Sequence, residues 1–379
     1  MWVLREAPGR GAAQSRGRRG GPVATVAVDT LGADRGAAEV AAGASSAARE
    51  GTRCVLFGPE AEIRAGILED SVGAVEIVDA PTGISNRDEP ARAARAQPNA
   101  SIVQAARAVA DGRADALLSA GPTGAALAAA TLHMKRLPGV YRPAVAVVLP
   151  VPGGQVVMLD AGANVEVRPE HLVQFAHMGA AFTESVLGLE RPRVALLSVG
   201  EEPEKGTPDL VAAHEQLAGS SLNFIGNVEG GGVVEGRSDV VVTDGFTGNI
   251  ALKLMEGTAR SIVGAIRDAA RSGTLSKVGG LLLKPKLAGL RDRLDPERVG
   301  GAYLLGLRGL VVICHGNSSR RAIASAVELA ARGVEEQVVG KTAEALSAAG
   351  VLRGGESPVP SGDQGRGSSV AAGTFDARP

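Results

Sequence analysis

The chain is organised around one stretch, Asp239-Val-Val-Val-Thr-Asp244-Gly-Phe-Thr-Gly-Asn249-Ile-Ala-Leu-Lys253. Three consecutive β-branched valines predict a short strand buried on both faces, as the strands of parallel sheets are. Asp244-Gly245 breaks that strand, and the apolar residues after Asn249 recur at helical spacing. A helix N-terminus presents unpaired N–H groups and a partial positive charge, so this strand–turn–helix unit predicts a binding place for an anion or a carbonyl oxygen. The same pattern is also typical of an ordinary strand-to-helix turn with a polar cap.

Length and composition favour a large α/β protein that does not bind nucleic acid. The chain has 379 residues, of which 45% are hydrophobic and 2% aromatic, and its net charge is −1. Few aromatic side chains are available to stack on bases, and a nearly neutral chain has no field that attracts a polyanion. The two cysteines, Cys54 and Cys314, lie in or beside apolar runs without metal-ligand spacing. We therefore expect buried, reduced thiols, no metal site and a cytoplasmic protein.

Composition divides the chain into three parts. Residues 1–22 are rich in Arg and Gly and have no apolar core, so we expect a disordered extension rather than a secretory signal. Residues 23–340 carry alternating strand and helix patterns and are expected to form one folded domain. Residues 341–379, which become rich in Gly, Ser and Pro from Gly354 onward, are expected to be a disordered tail. No apolar run reaches the roughly 18 residues of a membrane-spanning helix.

Short polar segments follow seven of the predicted strands. Strands that alternate with helices predict a Rossmann-like, mostly parallel sheet with flanking helices. Val23–Asp29 and Ala114–Leu118 are among the predicted strands. Pro143–Leu149 and Gln155–Leu159 are expected to form a hairpin across residues 150–154, and Gly300-Gly301-Ala302 is expected to begin a turn. In such a sheet ligands bind at the carboxyl ends of the strands, so we expect the seven segments to meet at one edge and form a catalytic cleft. They contain Asp29, Ser119-Ala-Gly121, Asp160, Glu201 and Lys205, Asn227, Asp244-Gly245 and His315.

Two of these segments have a composition that suits an oxyanion. Ser119-Ala-Gly-Pro-Thr-Gly124 precedes an Ala-rich helix, and its hydroxyl groups and glycines suit a phosphate held at a helix N-terminus. Gly200-Glu-Glu-Pro-Glu-Lys205-Gly206 places a lysine between glycines, where it could hold an oxyanion or a phosphate. The alternative interpretations are an ordinary turn and a solvated loop.

A basic amphipathic segment spans residues 274–295. Its leucines lie mostly along one face, lysines and arginines flank them, and Pro285 interrupts the middle. Such a segment predicts contact with an anionic membrane or an acidic partner protein, and it is equally compatible with a helical hairpin packed against a dimer mate. The residues expected to make the membrane or carrier contact are Lys277, Leu282, Leu283, Lys284, Lys286, Leu287 and Arg291.

Taken together, these motifs resemble those of the bacterial phosphate acyltransferases, enzymes that make acyl phosphate from acyl–acyl carrier protein. The resemblance is colinear from about Val23 to Val338. Two motifs depart from the family pattern: Thr30-Leu-Gly-Ala-Asp34 stands where the family usually has A-M-G-G-D, and Pro122 stands where it has Asn. The matching motifs are Val26-Ala-Val-Asp29, Ser119-Ala-Gly-Pro-Thr-Gly124, Asp160-Ala-Gly-Ala-Asn164, Gly200-Glu-Glu-Pro-Glu-Lys205-Gly206, Phe224-Ile-Gly-Asn-Val-Glu229, Thr243-Asp-Gly-Phe-Thr-Gly-Asn249, Leu283-Lys-Pro-Lys286 and His315-Gly316.

The resemblance implies a homodimer in which residues 23–340 form the catalytic domain, with a fold akin to the isocitrate/isopropylmalate dehydrogenase and phosphotransacetylase group. It implies a cytoplasmic enzyme that needs no cofactor and acts on acyl carrier protein and inorganic phosphate. It also implies that the enzyme touches the membrane peripherally and supplies a membrane-bound glycerol-3-phosphate acyltransferase.

The resemblance assigns catalytic roles to Lys205 and Asn249. In the implied reaction we expect Lys205 to neutralise the phosphate or the oxyanion. Asn249 and the N–H groups of residues 245–248 are expected to donate hydrogen bonds to the oxyanion, and His315 is expected to protonate the departing thiolate. The residues expected to contact substrate or phosphate are Asp29, Gly32, Asp34, Ser119, Gly121, Thr123, Gly124, Asp160, Asn164, Glu201, Asn227, Asp244, Gly245, Thr247 and Gly248.

Two other functions are open at this point. A phosphotransacetylase-type acyltransferase that uses acyl-coenzyme A would have the same sheet architecture. A non-catalytic protein that binds the acyl carrier would tolerate Pro122 in place of the family's Asn. A third class, the metal- and NAD-dependent decarboxylating dehydrogenases, needs a cluster of aspartates for Mg²⁺, and the sequence has no such cluster.

Overall fold

The structure, a computed structural model, describes residues 23–273, 276, 279 and 300–355. The predicted extension at residues 1–22 and the end of the predicted tail, from residue 356, lie outside the described residues. So do all the residues expected to contact a membrane or carrier, namely Lys277, Leu282, Leu283, Lys284, Lys286, Leu287 and Arg291.

Within the described residues, eleven strands and eleven α-helices alternate along the chain. The strands are β1 (Thr25–Asp29), β2 (Arg53–Gly58), β3 (Val75–Asp79), β4 (Ala116–Ser119), β5 (Ala144–Val151), β6 (Gly154–Leu159), β7 (Val194–Leu197), β8 (Phe224–Val228), β9 (Val240–Val242), β10 (Ala302–Leu305) and β11 (Leu310–Ile313). The helices are α1 (Ala37–Arg49), α2 (Glu60–Gly66), α3 (Pro90–Ala96), α4 (Ser101–Ala110), α5 (Thr123–His133), α6 (Pro169–Phe182), α7 (Pro208–Ala218), α8 (Gly230–Glu235), α9 (Gly245–Arg271), α10 (Arg320–Glu335) and α11 (Val338–Ala348). None of the described helices is both long enough and apolar enough to cross a membrane.

These strands form one sheet in the order β3-β2-β1-β4-β11-β10-β5-β6-β9-β7-β8. The first five are parallel to one another, and so are the last four. Between them β10 is antiparallel to both neighbours, and β5 is antiparallel to β6. The predicted, mostly parallel sheet is therefore confirmed, but its two parallel halves run in opposite directions. The expectation that all seven polar segments point to one edge is wrong for this reason.

The pairing register nevertheless brings the carboxyl ends of the two halves to nearly the same level. Asp29, Ser119 and Ile313 occupy one row across β1, β4 and β11. Strand β10 pairs with both β11 and β5, and it carries this row across to β5. There the row meets the chain two residues beyond Val145. The Val145 N–H in turn donates to Asp160, just after β6, at 3.0 Å. Two residues of a strand span about 7 Å, so the carboxyl ends of both halves form one band across the middle of the sheet.

Helices cover both faces of the sheet. Alternate residues of β1 belong to different core clusters: Val26 and Val28 share a cluster with buried residues of α1, α6, α10 and α11, whereas Ala27 shares one with residues of α4 and α5. Close packing of α1 on α10 depends on Gly43, because a Cβ there would lie 2.6 Å from Cβ of Ile323. Many helix residues that face the sheet are alanines, which lets the helices lie close to it.

Three expectations are settled by these elements. The hairpin predicted on either side of residues 150–154 is confirmed as the antiparallel pair β5 and β6. The two cysteines are confirmed as free and buried. The turn predicted to begin at residue 300 is wrong in part, because Ala302–Leu305 forms β10, a strand of four residues that is too short to show a period.

The predicted domain boundary at residue 340 is too early. Helix α11 runs on to Ala348, and its Val338, Thr342 and Leu346 are buried at helical spacing against the core. The Gln174 side chain of α6 donates to the Val351 carbonyl at 2.8 Å, which fixes the chain beyond that helix. The folded part therefore includes residues that composition alone assigned to a tail.

Candidate functional site

The first polar centre surrounds Asp29, at the end of β1. Its Oδ1 accepts a hydrogen bond from Ser101 Oγ at 2.6 Å, and its Oδ2 accepts one from Ser119 Oγ at 2.7 Å. The Gly121 N–H donates to Ser119 Oγ at 3.1 Å. Burial raises the pKa of Asp29 to about 6, and the two serine hydroxyls oppose that rise. Asp29 therefore ties β1 and α4 to the turn after β4, and its oxygens are used inside the chain.

That turn leads into α5 without a side-chain cap. Pro122 precedes the helix and makes no side-chain cap hydrogen bond, while its carbonyl accepts from the Ala125 and Ala126 N–H groups. Among the described residues, no hydrogen bond uses the N–H groups of Thr123 or Gly124. Because Thr123 is exposed and Gly124 half-buried, these two donors form an open anion-binding position.

The turn after β1 lies directly against this position. Gly32 has φ +82°, and a Cβ there would lie 2.8 Å from Cδ of Pro122. The Asp34 N–H donates to the Gly316 carbonyl at 2.7 Å, which joins this turn to the end of β11. Asp34 itself is exposed. The structure thus brings together the predicted residues Asp29, Gly32, Asp34, Ser119, Gly121, Thr123 and Gly124.

The second polar centre surrounds Asp160, at the end of β6. Its Oδ1 accepts from the N–H groups of Val145, Gly162 and Ala163 at 2.9–3.1 Å. Its Oδ2 accepts from the backbone and side-chain nitrogens of Asn164 at 2.7 and 2.8 Å. Burial raises the pKa of Asp160, and these N–H donors oppose the rise because they favour the ionised form. Asp160 and Asn164 therefore hold the 160–164 turn in place.

The N-terminus of α9, unlike that of α5, is closed. Asp244 Oδ1 accepts from the N–H groups of Phe246 and Thr247 at 3.0 and 2.8 Å. The Gly245 N–H donates to the Asn164 carbonyl, and the Gly248 N–H donates to the Asp244 carbonyl. The expectation that the N–H groups of residues 245–248 serve an oxyanion is therefore wrong, since an acidic N-cap residue and the neighbouring turn already use them.

Asn249 keeps its place beside the 160–164 turn. Its Cβ lies 3.7 Å from the position that a Cβ on Gly162 would take, and its side chain is half-buried. Gly162 has φ +145°, so a side chain there would be strained, although its Cβ would meet Asn249 only at ordinary contact distance. Of the groups expected to contact an oxyanion at this turn, the Asn249 amide is the one that the capping interactions leave available.

The segment that follows β7 carries Lys205, whose side chain is exposed. Asn227, at the end of β8, uses its amide nitrogen to donate to the Glu202 carbonyl at 2.8 Å. Glu201 accepts from Arg237 at 2.6 Å on the surface. The predicted residues Glu201 and Asn227 thus serve the shape of this loop in the structure, and a contact of either one with substrate stays a prediction.

His315 follows β11, between the two centres, and helix α9 is long enough to contact it. Its Nε2 is 3.2 Å from Glu256 Oε1. This contact raises the pKa of His315, and burial and the charges of Lys253 and Arg260 oppose that rise. The contact lowers the pKa of Glu256, and the same two charges add to that lowering. Asn249 and Glu256 are seven residues apart on α9, which puts them on the same face at about 10.5 Å.

The two centres do not coincide. Ser119 and Asp160 end strands that are four steps apart in the sheet, about 19 Å in a flat arrangement. Several residues that shape the site were not found from the sequence, namely Ser101, Ser198, His214, Arg237 and Glu256. Each lies outside the matching motifs or carries no local signal. Within the described ranges, no group of three or more His, Cys, Asp or Glu side chains is placed to hold a metal ion.

Comparison with solved structures identifies the fold. The phosphotransacetylase from Streptococcus pyogenes superimposes with a TM-score of 0.54 at 18% identity, covering 82% of this chain and 94% of that one. The EutD phosphotransacetylase from Staphylococcus aureus gives a TM-score of 0.52, also at 18% identity and with the same coverage. The predicted likeness to the phosphotransacetylase fold is confirmed, and at this identity the likeness concerns the fold alone.

Comparison with sequences identifies the family. The family model described as "Fatty acid synthesis protein" matches residues 24–341. The phosphate acyltransferase of Heliobacterium modesticaldum is 43% identical over 318 residues, which cover 83% of this chain and 95% of the relative. That of Anaeromyxobacter dehalogenans is 43% identical over 330 residues, covering 86% and 91%. The chain therefore belongs to the phosphate acyltransferase family, a family of acyltransferase enzymes.

Proposed function

We propose that the chain transfers a fatty acyl group from acyl–acyl carrier protein to inorganic phosphate, making acyl phosphate for the synthesis of phosphatidic acid. Membership of a family whose members are named phosphate acyltransferases supports acyl transfer to phosphate. The observation that carries the proposal is the N-terminus of α5, where the N–H groups of Thr123 and Gly124 are open and a hydroxyl group lies beside them. An open helix N-terminus is a favourable binding place for a phosphate.

The reaction needs no covalent enzyme intermediate. A phosphate oxygen forms a bond with the carbonyl carbon of the thioester, the carbon–sulfur bond breaks, and the sulfur leaves as a thiolate. Phosphate is already an anionic nucleophile at neutral pH, so the protein has to hold two reactants in line and stabilise the negative charge that grows on the carbonyl oxygen. Positioning alone is worth about 7–11 kcal/mol, and each donor to the oxyanion about 2.7–4 kcal/mol.

Each half of the sheet contributes one set of groups. The α5 turn holds the phosphate, while Lys205 and the Asn249 amide stabilise the carbonyl oxygen. His315, kept protonated to higher pH by Glu256, gives its proton to the departing thiolate. Because the ends of β4 and β6 are about 19 Å apart in a flat sheet, the turns and helices that follow these strands have to reach toward each other over the substrates before transfer.

A homodimer is part of the proposal. Helix α9 exposes a row of large apolar residues at intervals of four, with Thr258 in its middle. Such a row on one helix is unfavourable in water and suits burial against a second copy of the chain. Its members are Phe246, Ile250, Leu254, Ile262 and Ile266.

The proposal also includes the enzyme that uses the product, acyl phosphate. An acyl phosphate is a reactive mixed anhydride, so we propose a cytoplasmic enzyme that touches the membrane peripherally through residues 274–295 and supplies a membrane-bound glycerol-3-phosphate acyltransferase. The basic and apolar composition of that segment supports the membrane contact.

The test is thiol release from acyl–acyl carrier protein with and without inorganic phosphate, alongside acyl-coenzyme A at equal concentration. We expect release from the carrier that depends on phosphate. Lys205→Ala should lower its kcat at least about 100-fold, the scale of losing one charge-stabilising group. A higher kcat/KM with acyl-coenzyme A would favour the phosphotransacetylase-type alternative. Carrier binding without any release from either substrate would favour the non-catalytic one.

A further inference from the structure

We propose that Ser198 and His214 are positioning residues that hold the main chain of Lys205 in place. The inference rests on the proposed role of Lys205 in acyl transfer, and it concerns two side chains outside the motifs that carry the family resemblance. Both act through hydrogen bonds to the loop that follows β7.

Ser198 closes this loop on Lys205 directly. It is the first residue after β7, and its Oγ donates to the Lys205 carbonyl at 3.0 Å. The Lys205 N–H donates to the Glu202 carbonyl at 3.1 Å. Both peptide groups of Lys205 are therefore bonded inside the loop, and the Ser198 bond spans seven residues of chain.

His214 acts from the other side, through Asn227. The Asn227 amide nitrogen donates to the Glu202 carbonyl at 2.8 Å, and its Oδ1 lies 2.9 Å from His214 Nδ1. A carbonyl only accepts, so the amide nitrogen has to face Glu202 and the amide oxygen has to face the histidine. His214 therefore carries a proton on Nδ1 and donates it to Asn227. The Phe224 ring, 5.1 Å away and edge-on, holds the imidazole from β8.

Glycines on both sides of the loop make room for the Lys205 side chain and for the Ser198 hydrogen bond. A Cβ on Gly200 would lie 2.9 Å from Cγ of Lys205, so the lysine stem crosses the loop over Gly200. Gly206 has φ +117°, and a Cβ there would lie 3.2 Å from Ser198 Oγ and would overlap Leu210. A lysine has four rotatable bonds and many rotamers, so fixing its backbone and stem removes much of the freedom that would otherwise blur the position of its ammonium group.

The Ser198 hydrogen bond also sets the position of Lys205 along the strand direction, relative to the band formed by the carboxyl ends. Leu196 of β7 is paired with Val242 of β9, so Ser198 stands level with Asp244, where α9 begins. Asn249 lies on the first turns of that helix. Loss of the Ser198 or His214 hydrogen bond would let Lys205 drift relative to Asn249, and a misplacement of about 1 Å can lower a rate about 100-fold.

The experiment compares Ser198→Ala and His214→Phe with the conservative variants Ser198→Thr and His214→Asn. Threonine keeps the hydroxyl donor, and asparagine offers an N–H close to where Nδ1 lies. Ser220→Ala is the matched control, because Ser220 Oγ makes the same kind of bond to the Leu217 carbonyl, at 2.7 Å, away from the loop. All are made in the full chain and assayed by phosphate-dependent thiol release from acyl–acyl carrier protein, with melting temperatures measured in parallel.

We expect the alanine and phenylalanine variants to lower kcat about 10-fold or more with little change in melting temperature or in KM for phosphate. The conservative variants should return to within about 3-fold of wild type, and the Ser220 control should stay at wild type. In a Lys205→Ala background the same two changes should cost little more, because no side chain is left to position.

Three results would overturn the inference. One is a wild-type kcat for Ser198→Ala and His214→Phe in an enzyme that Lys205→Ala disables, and another is full additivity of these changes with Lys205→Ala. Either of these would leave the proposed function intact. The third is a wild-type kcat for Lys205→Ala itself, which would remove Lys205 from the mechanism and with it any role in positioning it.

Discussion

Two buried aspartates should respond in opposite ways to the same substitution. Asp160→Asn replaces one carboxylate oxygen by an NH₂ group in a site whose neighbours are all N–H donors. When the new NH₂ group faces Asn164, it cannot accept the two hydrogen bonds that Oδ2 accepted. The backbone and side-chain N–H donors of Asn164 are then left unsatisfied. At about 1–3 kcal/mol for each buried donor left without an acceptor, the free energy of unfolding should fall by about 2–6 kcal/mol.

Asp29→Asn should be tolerated, because its main partners are hydroxyl groups. Ser101 and Ser119 donate to Asp29 in the structure, and a hydroxyl can rotate and accept instead. Ser119 Oγ has two lone pairs, so it can accept from the new NH₂ and from the Gly121 N–H together. The variant also removes a buried charge. Raising the pKa of Asp29 from 3.8 to about 6 corresponds to about 3 kcal/mol, so we expect the stability at pH 7 to stay within about 1 kcal/mol of wild type or to rise.

Urea unfolding followed by circular dichroism at pH 7 measures both effects, with equal m-values as the condition for comparing midpoints. A second series of unfolding measurements, made at several pH values, tests the sign of the charge effect. Since the folded state raises the pKa of Asp29, the contribution of this carboxyl to stability is complete below pH 3.8 and is lost as the pH rises through about 6. The stability of Asp29→Asn relative to wild type should therefore improve between pH 4 and pH 7. Equal destabilisation of the two Asn variants at pH 7 would refute the reasoning, and so would a harmless Asp160→Asn.

Three further outcomes follow from the site. Glu256→Gln should lower the pKa of His315, since the contact with Glu256 raises it. The alkaline limb of the kcat–pH profile should therefore shift to lower pH. An unmoved limb would show that the pair takes no part in the proton transfer. Asp244→Ala should cost about 0.5–2 kcal/mol of stability while KM for phosphate stays unchanged, because Asp244 caps α9, and Asp244→Asn should keep the cap; a large rise in KM would instead make Asp244 a ligand contact. Leu254→Glu should shift the protein toward a monomer in sedimentation velocity without lowering the melting temperature of the monomer, and an unchanged oligomer would separate the α9 row from any dimer interface.

Local patterns were sufficient for most elements of this fold. The valine run of β9, the apolar runs of β1 and β4 and the glycine turns after them depend on neighbouring residues only, and their positions were predicted correctly. The hairpin of β5 and β6 was predicted correctly for the same reason, since its turn residues lie between its strands. Two elements were not predicted correctly. Strand β10 has four residues, which are too few to show a period, and the Ala-containing helix α11 resembles a linker in composition.

The direction of the two half-sheets could not be predicted in this way. A strand's own residues are the same whichever way its neighbour runs, and the reversal here depends on β10 returning from late in the chain to lie between β11 and β5. The seven polar segments were therefore identified correctly as strand ends, while their expected meeting at a single edge was wrong.

The amino-acid sequence alone was enough to find the glycine turns, the family resemblance and the polar strand ends, because each depends on residues close together along the chain. Which donors and acceptors are free at those turns was settled by partners far away. Asp29 is bonded to a serine 72 residues later, and His315 is held by a glutamate 59 residues earlier. Two helix starts that look alike in sequence thus differ in the folded protein, since α9 is capped by its own aspartate and the 160–164 turn while α5 keeps two N–H groups open. A hydrogen bond depends on distance in space, and only the packed chain brings those groups within reach.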